Sequence, residues 1–198
     1  MAEPVFFYDF SSPYSYFAAH RIDDALPVPP RWQPILFGGL IREIGKLAWS
    51  MRPGSGRDAQ MRECEEQAAG LGLPLRWPRG WPTETYSVVV LRAALVAAEL
   101  GLVREFSLAA YRQGFGLGRD LTDIHVVLEA ADEAGADRAA VREGVERADV
   151  KERLRRVTDD ARRLGVTGIP TVCVEGTLYW GNDRLEDAAA ALTGSVPP

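Results

Sequence analysis

The sequence predicts an α/β fold in which two strand-containing ends enclose a long helical block. Three observations carry this. A short apolar, β-prone run opens the chain and gives way to helical spacing; residues 38–164 show glycine-punctuated helical patterns with few β-branched stretches; and the tail returns to short strands. The chain has no internal repeat and no low-complexity segment.

The opening run is Val5-Phe6-Phe7-Tyr8-Asp9-Phe10, stopped by Ser11-Ser12-Pro13. Tyr14, Phe17, Ala18, Ile22, Ala25 and Leu26 then recur at helical spacing until Pro27, Pro29 and Pro30 end the pattern. Residues 31–37 follow as a second strand and complete a βαβ unit. The helical block is clearest at 84–100, 103–111, 123–134 and 137–164, with Asp149 placed to cap a new helix after a break in the last segment. The Arg- and Gly-rich stretch 52–57 reads as an exposed loop. Residues 171–175 and 177–180 form a hairpin around Gly176, and 183–192 a short closing helix. The order is therefore βαβ, helical insertion, αββα. Residues 1–37 and 156–198 make one discontinuous domain, and 38–155 the inserted one.

Composition narrows the function. The 198 residues carry a net charge of -5 with the basic groups dispersed, which argues against nucleic acid as a partner. No apolar run approaches the roughly 20 residues of a membrane span, and the N-terminus lacks a basic, apolar leader, so a cytoplasmic location without membrane attachment is expected. Cys64 and Cys173 are far apart, and His20 and His125 add no ligand spacing, so neither a disulfide framework nor a metal site is expected. Cys64 reads as the more exposed cysteine and Cys173 as a small buried hydrophobe. Trp77 and Trp81, among prolines, read as a wall over a pocket.

Two segments carry a chemical signal. Ser12 stands at a helix N-cap with Pro13 at the first helical position, an arrangement that serves capping alone or additionally favours an anion such as a thiolate. Pro170, in Gly168-Ile169-Pro170-Thr171, is either an ordinary strand-edge proline or the second residue of a cis peptide that exposes the backbone before it.

The segments YDFSSPYSYFAAHRI, PILFGGL, AAGLGLPLRWP and GVTGIPTVCVEGTLYWGNDRLED, in this order and spacing, closely resemble the 2-hydroxychromene-2-carboxylate isomerase family. That family has a thioredoxin fold and is related to kappa-class glutathione transferases and to DsbA. The resemblance implies glutathione or another low-molecular-weight thiol as cofactor, a small aromatic substrate and a homodimer. It makes Ser12 the catalytic group facing the thiol sulfur, makes Pro170 cis with Ile169 pairing to the thiol peptide, and gives Asn182 and Asp183 the γ-glutamyl end. Lys46, standing where the family usually has Asn, is a further cofactor contact, with Ser11, Tyr14, Arg42, Arg52 and Trp81 on the substrate side. The alternatives are a kappa-like transferase or peroxidase, or a DsbA-family protein, oxidoreductase-like or a non-enzymatic binding module, without a CxxC redox site. Disulfide exchange is disfavoured, because Ser12-Pro13-Tyr14-Ser15 puts serines where that chemistry needs cysteines.

Overall fold

The computed structural model describes residues 3–43, 45, 47–52 and 54–194. Lys46 lies outside them. Strand β1 (Val5–Tyr8) leads into α1 (Pro13–Ala19) and α2 (Ile22–Ala25), then β2 (Arg31–Pro34) and α3 (Phe37–Glu43). The helical block comprises α4 (Ser55–Gly70), α5 (Val88–Glu99), α6 (Val103–Tyr111), α7 (Ile124–Glu133), α8 (Arg138–Gly144) and α9 (Ala148–Arg163). The chain closes with β3 (Thr171–Val174), β4 (Thr177–Trp180) and α10 (Leu185–Thr193).

The four strands form one sheet in the order β2-β1-β3-β4. β2 runs parallel to β1, as the βαβ reading requires, while β3 and β4 are antiparallel. Because side chains alternate along a strand, the sheet serves two cores. Phe6, Tyr8, Val172 and Val174 face the larger one, with α1, α5 and α6, and Phe7 and Cys173 face a smaller one with Ile35, Leu40, Ile41 and Ala161. Helix α9 buries Val150, Leu154, Thr158 and Ala161 along one side and leaves Arg155, Arg156, Arg162 and Arg163 exposed on the other. Thr158 Oγ1 donates to the Leu154 carbonyl at 2.8 Å and accepts the Leu36 N–H at 3.0 Å, which fixes the chain between β2 and α3.

Several boundaries differ from the sequence reading. The first helix breaks at His20-Arg21 into α1 and α2, and the second strand ends at Pro34 because Phe37 already opens α3. The helix expected from residue 84 starts at Val88, after the cis Trp81–Pro82 bond and a turn. The break before α9 is real, but the capping position is Arg147, and Asp149 sits in the first turn. Helix α4 begins inside the stretch read as a loop, and Leu164, the last residue of the expected 137–164 segment, lies beyond the end of α9 and is exposed.

Candidate active site

Strand register decides which segments meet. Tyr8 is paired with Pro34 and Phe7 with Thr171, and Thr171 is in turn paired with Trp180. Consequently the turn after β1 (9–12), the segment after β2 (35–37), the segment before β3 (168–170) and the segment after β4 (181–183) all emerge at the same end of the sheet. Ser12, Ile169, Pro170, Asn182 and Asp183, scattered in sequence, lie on these segments.

Ser12 is the N-cap of α1 in extended backbone, with Pro13 at the first helical position. Its Oγ accepts the Ser15 N–H at 3.2 Å, and its own proton has no acceptor among the described residues. The turn is held from below: Ser12 N–H donates to the Asp9 carbonyl at 3.2 Å, and the Tyr111 hydroxyl donates to that same oxygen at 3.2 Å. Asp9 is fully buried. Its carboxylate accepts the N–H of Ser11 at 3.0 Å and of Phe37 at 2.8 Å. Burial pushes its pKa above the ordinary carboxylate value, opposed by hydrogen bonds from Ser87, Ser11 and Phe37.

The Ile169–Pro170 bond is cis, and the neighbouring groups hold the segment in place. The Thr171 hydroxyl donates to the Gly168 carbonyl at 2.8 Å, and Gly181 N–H to the Pro170 carbonyl at 2.9 Å. Among the described residues the Ile169 N–H and C=O have no partner, so this backbone keeps a strand edge's capacity to pair. Trp180 lies across Gly168 so closely that a Cβ there would come 2.1 Å from its Nε1, and any larger residue would have to displace the exposed indole. Asn182 is 5% exposed, its carbonyl accepts Arg21 Nη1 at 2.9 Å, and its Nδ2 is buried without a partner. The capping position of α10 is Arg184, which supplies no side-chain acceptor, and the Asp183 side chain curls back over Gly181 instead of capping.

On the helical side, aromatic rings form a continuous wall. Tyr14 meets Trp49 (ring centroids 6.1 Å apart), Trp49 meets Trp81 (5.7 Å), and Trp81 stacks on Trp77 (4.5 Å), with Phe115 behind both. Phe115 comes from a π-helical turn, Arg112–Gly116, that follows α6 and accepts the Arg76 N–H at 2.6 Å, drawing the tryptophan loop onto it. The Trp81 indole donates to the Ser11 carbonyl at 3.1 Å, which locks the wall to the serine turn. A hollow of about 20 Å³ opens there beside Ser11, Trp81 and Phe115. A larger cleft of about 790 Å³ lies along β2; its charged residues Asp23, Arg31, Arg104, Glu105 and Arg153 are all in ion pairs.

Ser11, Ser12 and Trp81 are thus brought together. Tyr14 contributes its ring, whereas its hydroxyl is turned to Gln60 and the Cys64 thiol. Arg42 and Arg52 are exposed and have no ion-pair partner among the described residues. Cys64 corrects the sequence reading: it is fully buried, because it and Ala68, one turn apart, form the inward face of an otherwise charged α4. Burial raises its thiol to about 11, and Cys173 is buried in β3, so neither is a poised nucleophile. Sequence reasoning missed Asp9, Tyr111, Trp49 and Phe115. Only Asp9 left a signal, a carboxylate between two aromatic residues at the end of a strand.

The chain and its fold are similar to those of known proteins. The chain is 28% identical over 185 residues to the 2-hydroxychromene-2-carboxylate isomerase of Sphingobium xenophagum, covering 91% of this chain and 93% of that one. The fold superposes on a solved 2-hydroxychromene-2-carboxylate isomerase with a TM-score of 0.84 at 20% identity, covering 98% and 95% of the two chains. It also superposes on the cytosolic disulfide reductase DsbM of Pseudomonas aeruginosa solved with GSH, with a TM-score of 0.67 at 19% identity and 98% coverage of both. The profile of the DSBA-like thioredoxin domain matches residues 5–193, and the chain belongs to that family.

Proposed function

We propose that the protein is a glutathione-dependent isomerase that interconverts cyclic 2-hydroxychromene-2-carboxylates and their open benzylidenepyruvate forms. The observation that carries this reading is the Ser12 hydroxyl, which caps α1 with its oxygen and keeps its proton available. Other groups fit a glutathione peptide: the unpaired Ile169 backbone, the unpartnered Asn182 Nδ2, and the Asp183 carboxylate for an ammonium group. The relatives named as this isomerase and the DsbM structure with GSH support the same class.

Glutathione held there by Ser12, Ile169, Asn182 and Asp183 would supply a thiolate for reversible addition to a conjugated enone, the chemistry that allows a double bond to rotate. The protein's task is to keep that sulfur ionised. A free thiol has a pKa near 8.5 and is only a few per cent ionised at neutral pH; lowering that pKa by one takes about 1.4 kcal/mol. A hydrogen bond from Ser12 to the charged sulfur is worth about 1.5–3 kcal/mol, enough to lower it by roughly one to two. The seven-residue α1 adds only a small dipole contribution, so the hydroxyl dominates. The Trp49 and Trp81 rings offer aromatic surface for the substrate's ring, and Arg42, Arg52 and Lys46 supply positive charge for the substrate carboxylate, which the net charge of -5 does not. The resemblance to kappa-class transferases points to a second acceptor chemistry at the same site.

Calorimetric titration with glutathione, followed by the ultraviolet absorbance of the bound thiolate against pH, tests the reading. Binding with a thiol pKa below the free value is expected. Absence of binding, together with absence of thiol-stimulated isomerisation, removes it.

A further inference from the structure

We infer that Asp9 is a positioning residue: its buried carboxylate joins the serine turn to the start of α3 and so sets the thiol side of the site against the substrate side. One oxygen holds the Ser11 N–H at 3.0 Å and the other the Phe37 N–H at 2.8 Å, so a single side chain ties the segments leaving adjacent parallel strands. What hangs on each tie differs. Ser11 is followed directly by Ser12 and its carbonyl receives the Trp81 indole, while Phe37 begins the helix that carries Arg42.

A fully buried carboxylate is an expensive way to tie two backbone amides, since a neutral side chain would avoid taking a charge out of water. Its neighbours make ionisation tenable without a cation. Tyr111 on α6 is the titratable group beside it, the hydroxyls of Ser87 and Ser11 face it, and no described arginine, lysine or histidine forms an ion pair with it. The carboxylate accepts from both amides at once. A protonated carboxyl presents a weaker acceptor on one side and an asparagine a donor, so the hold on Ser11 or Phe37 is weakened in the first case and lost in the second. The binding groups proposed for glutathione, at Ile169, Asn182 and Asp183, hang on β3 and β4 and are independent of this joint.

The inference rests on the proposed function for its kinetic arm only. Asp9→Asn is expected to lower kcat for thiol-dependent isomerisation about tenfold while leaving the KM for glutathione within about threefold. The second arm needs no substrate. The Trp81 indole N–H resonance, assigned with Trp81→Phe, is expected to shift with pH through a midpoint above the ordinary carboxylate value in the wild type and to lose that transition in Asp9→Asn. An unchanged kcat, or a Trp81 resonance that titrates alike in both proteins, overturns the inference. If the wild type shows no thiol-dependent turnover, the functional reading fails and Asp9 is judged on the resonance alone. If Asp9→Asn does not fold, a wild-type Trp81 resonance that stays flat through the acid range is the overturning result.

Discussion

The two helix starts at this end of the sheet are built in opposite ways. Helix α1 begins with Ser12, whose side chain satisfies one of the free amides of the first turn, and with Pro13, which has no amide to satisfy. Helix α10 begins at Arg184 with no side-chain cap, next to Asn182 with a buried, unpaired Nδ2. A capped start is complete without a ligand and contributes one spare proton. An uncapped start beside an unsatisfied amide costs folding stability until something binds. On the proposed function the difference separates two tasks: the α1 end is the one to act on a reacting atom, and the α10 end the one to hold a molecule.

The sharpest way to break this division is at Ser12. Ser12→Asp retains the cap but sets a negative charge against the thiolate, so the variant is expected to melt close to the wild type while thiol-dependent turnover falls at least about tenfold, or about 1.4 kcal/mol of barrier. Ser12→Ala loses the cap as well, at about 1 kcal/mol of stability. Melting curves and rates measured on both variants decide; a fast, stable aspartate variant would reduce Ser12 to a cap.

At the other helix start the pattern of effects should invert. Asn182→Ala removes a donor that the free protein leaves unsatisfied, so stability is expected to change by less than about 1 kcal/mol, while glutathione affinity falls about five- to tenfold. Calorimetry gives the affinity. An unchanged Kd would show that α10 holds nothing.

Asp9 predicts a pH signature in stability. Because burial raises its folded-state pKa above the unfolded value, near 3.9, the native state binds the proton more tightly. Its contribution is therefore present below the unfolded value and lost as pH rises through the folded one. Relative to Asp9→Asn, the wild type should gain stability as pH is lowered toward 4, with a slope no steeper than the roughly 1.4 kcal/mol per pH step that one proton allows. Denaturant midpoints across that range test the sign, and a wild type that loses ground on acidification contradicts it.

The smallest effect belongs to the cysteines. Cys64→Ala with Cys173→Ala should leave turnover within about twofold, because both are buried, reduced and, for Cys64, raised to about 11. A folded but inactive double variant would shift the chemistry to a protein thiol.

How much of this the sequence discloses depends on whether a residue's role is local. The cap at Ser12, the strand alternation through Val172-Cys173-Val174 and the glycine turn at Gly176 follow from neighbours within a few positions, and the structure bears them out. Local reasoning leaves the bond before Pro170 open, and only resemblance to a family makes it cis, as the structure has it. Asp9, Trp49 and Phe115 owe their roles to partners far along the chain. Phe115 meets Trp81 because a π turn ends α6, which no periodicity announces. Cys64 misleads for a related reason: the charges of α4 mask a narrow inward face whose packing partner, Tyr14, belongs to α1.

Strand register has a consequence for how such a protein diversifies. The segments bearing Ser12, Ile169 and Asn182 are measured out by pairing among β1, β3 and β4, and a slip of one residue anywhere in that pairing would turn side chains from one core to the other. Apart from Tyr14 on α1, the aromatic wall is anchored differently, by the π turn and one indole hydrogen bond, within the long excursion between β2 and β3. Insertions and substitutions in that excursion that spare the Trp81–Ser11 hydrogen bond can reshape the wall without moving any group on the strand ends. Selection on what the wall accepts is thereby decoupled from selection on the chemistry beside it, and lineages that share the sheet are free to drift apart in the molecules they recognise.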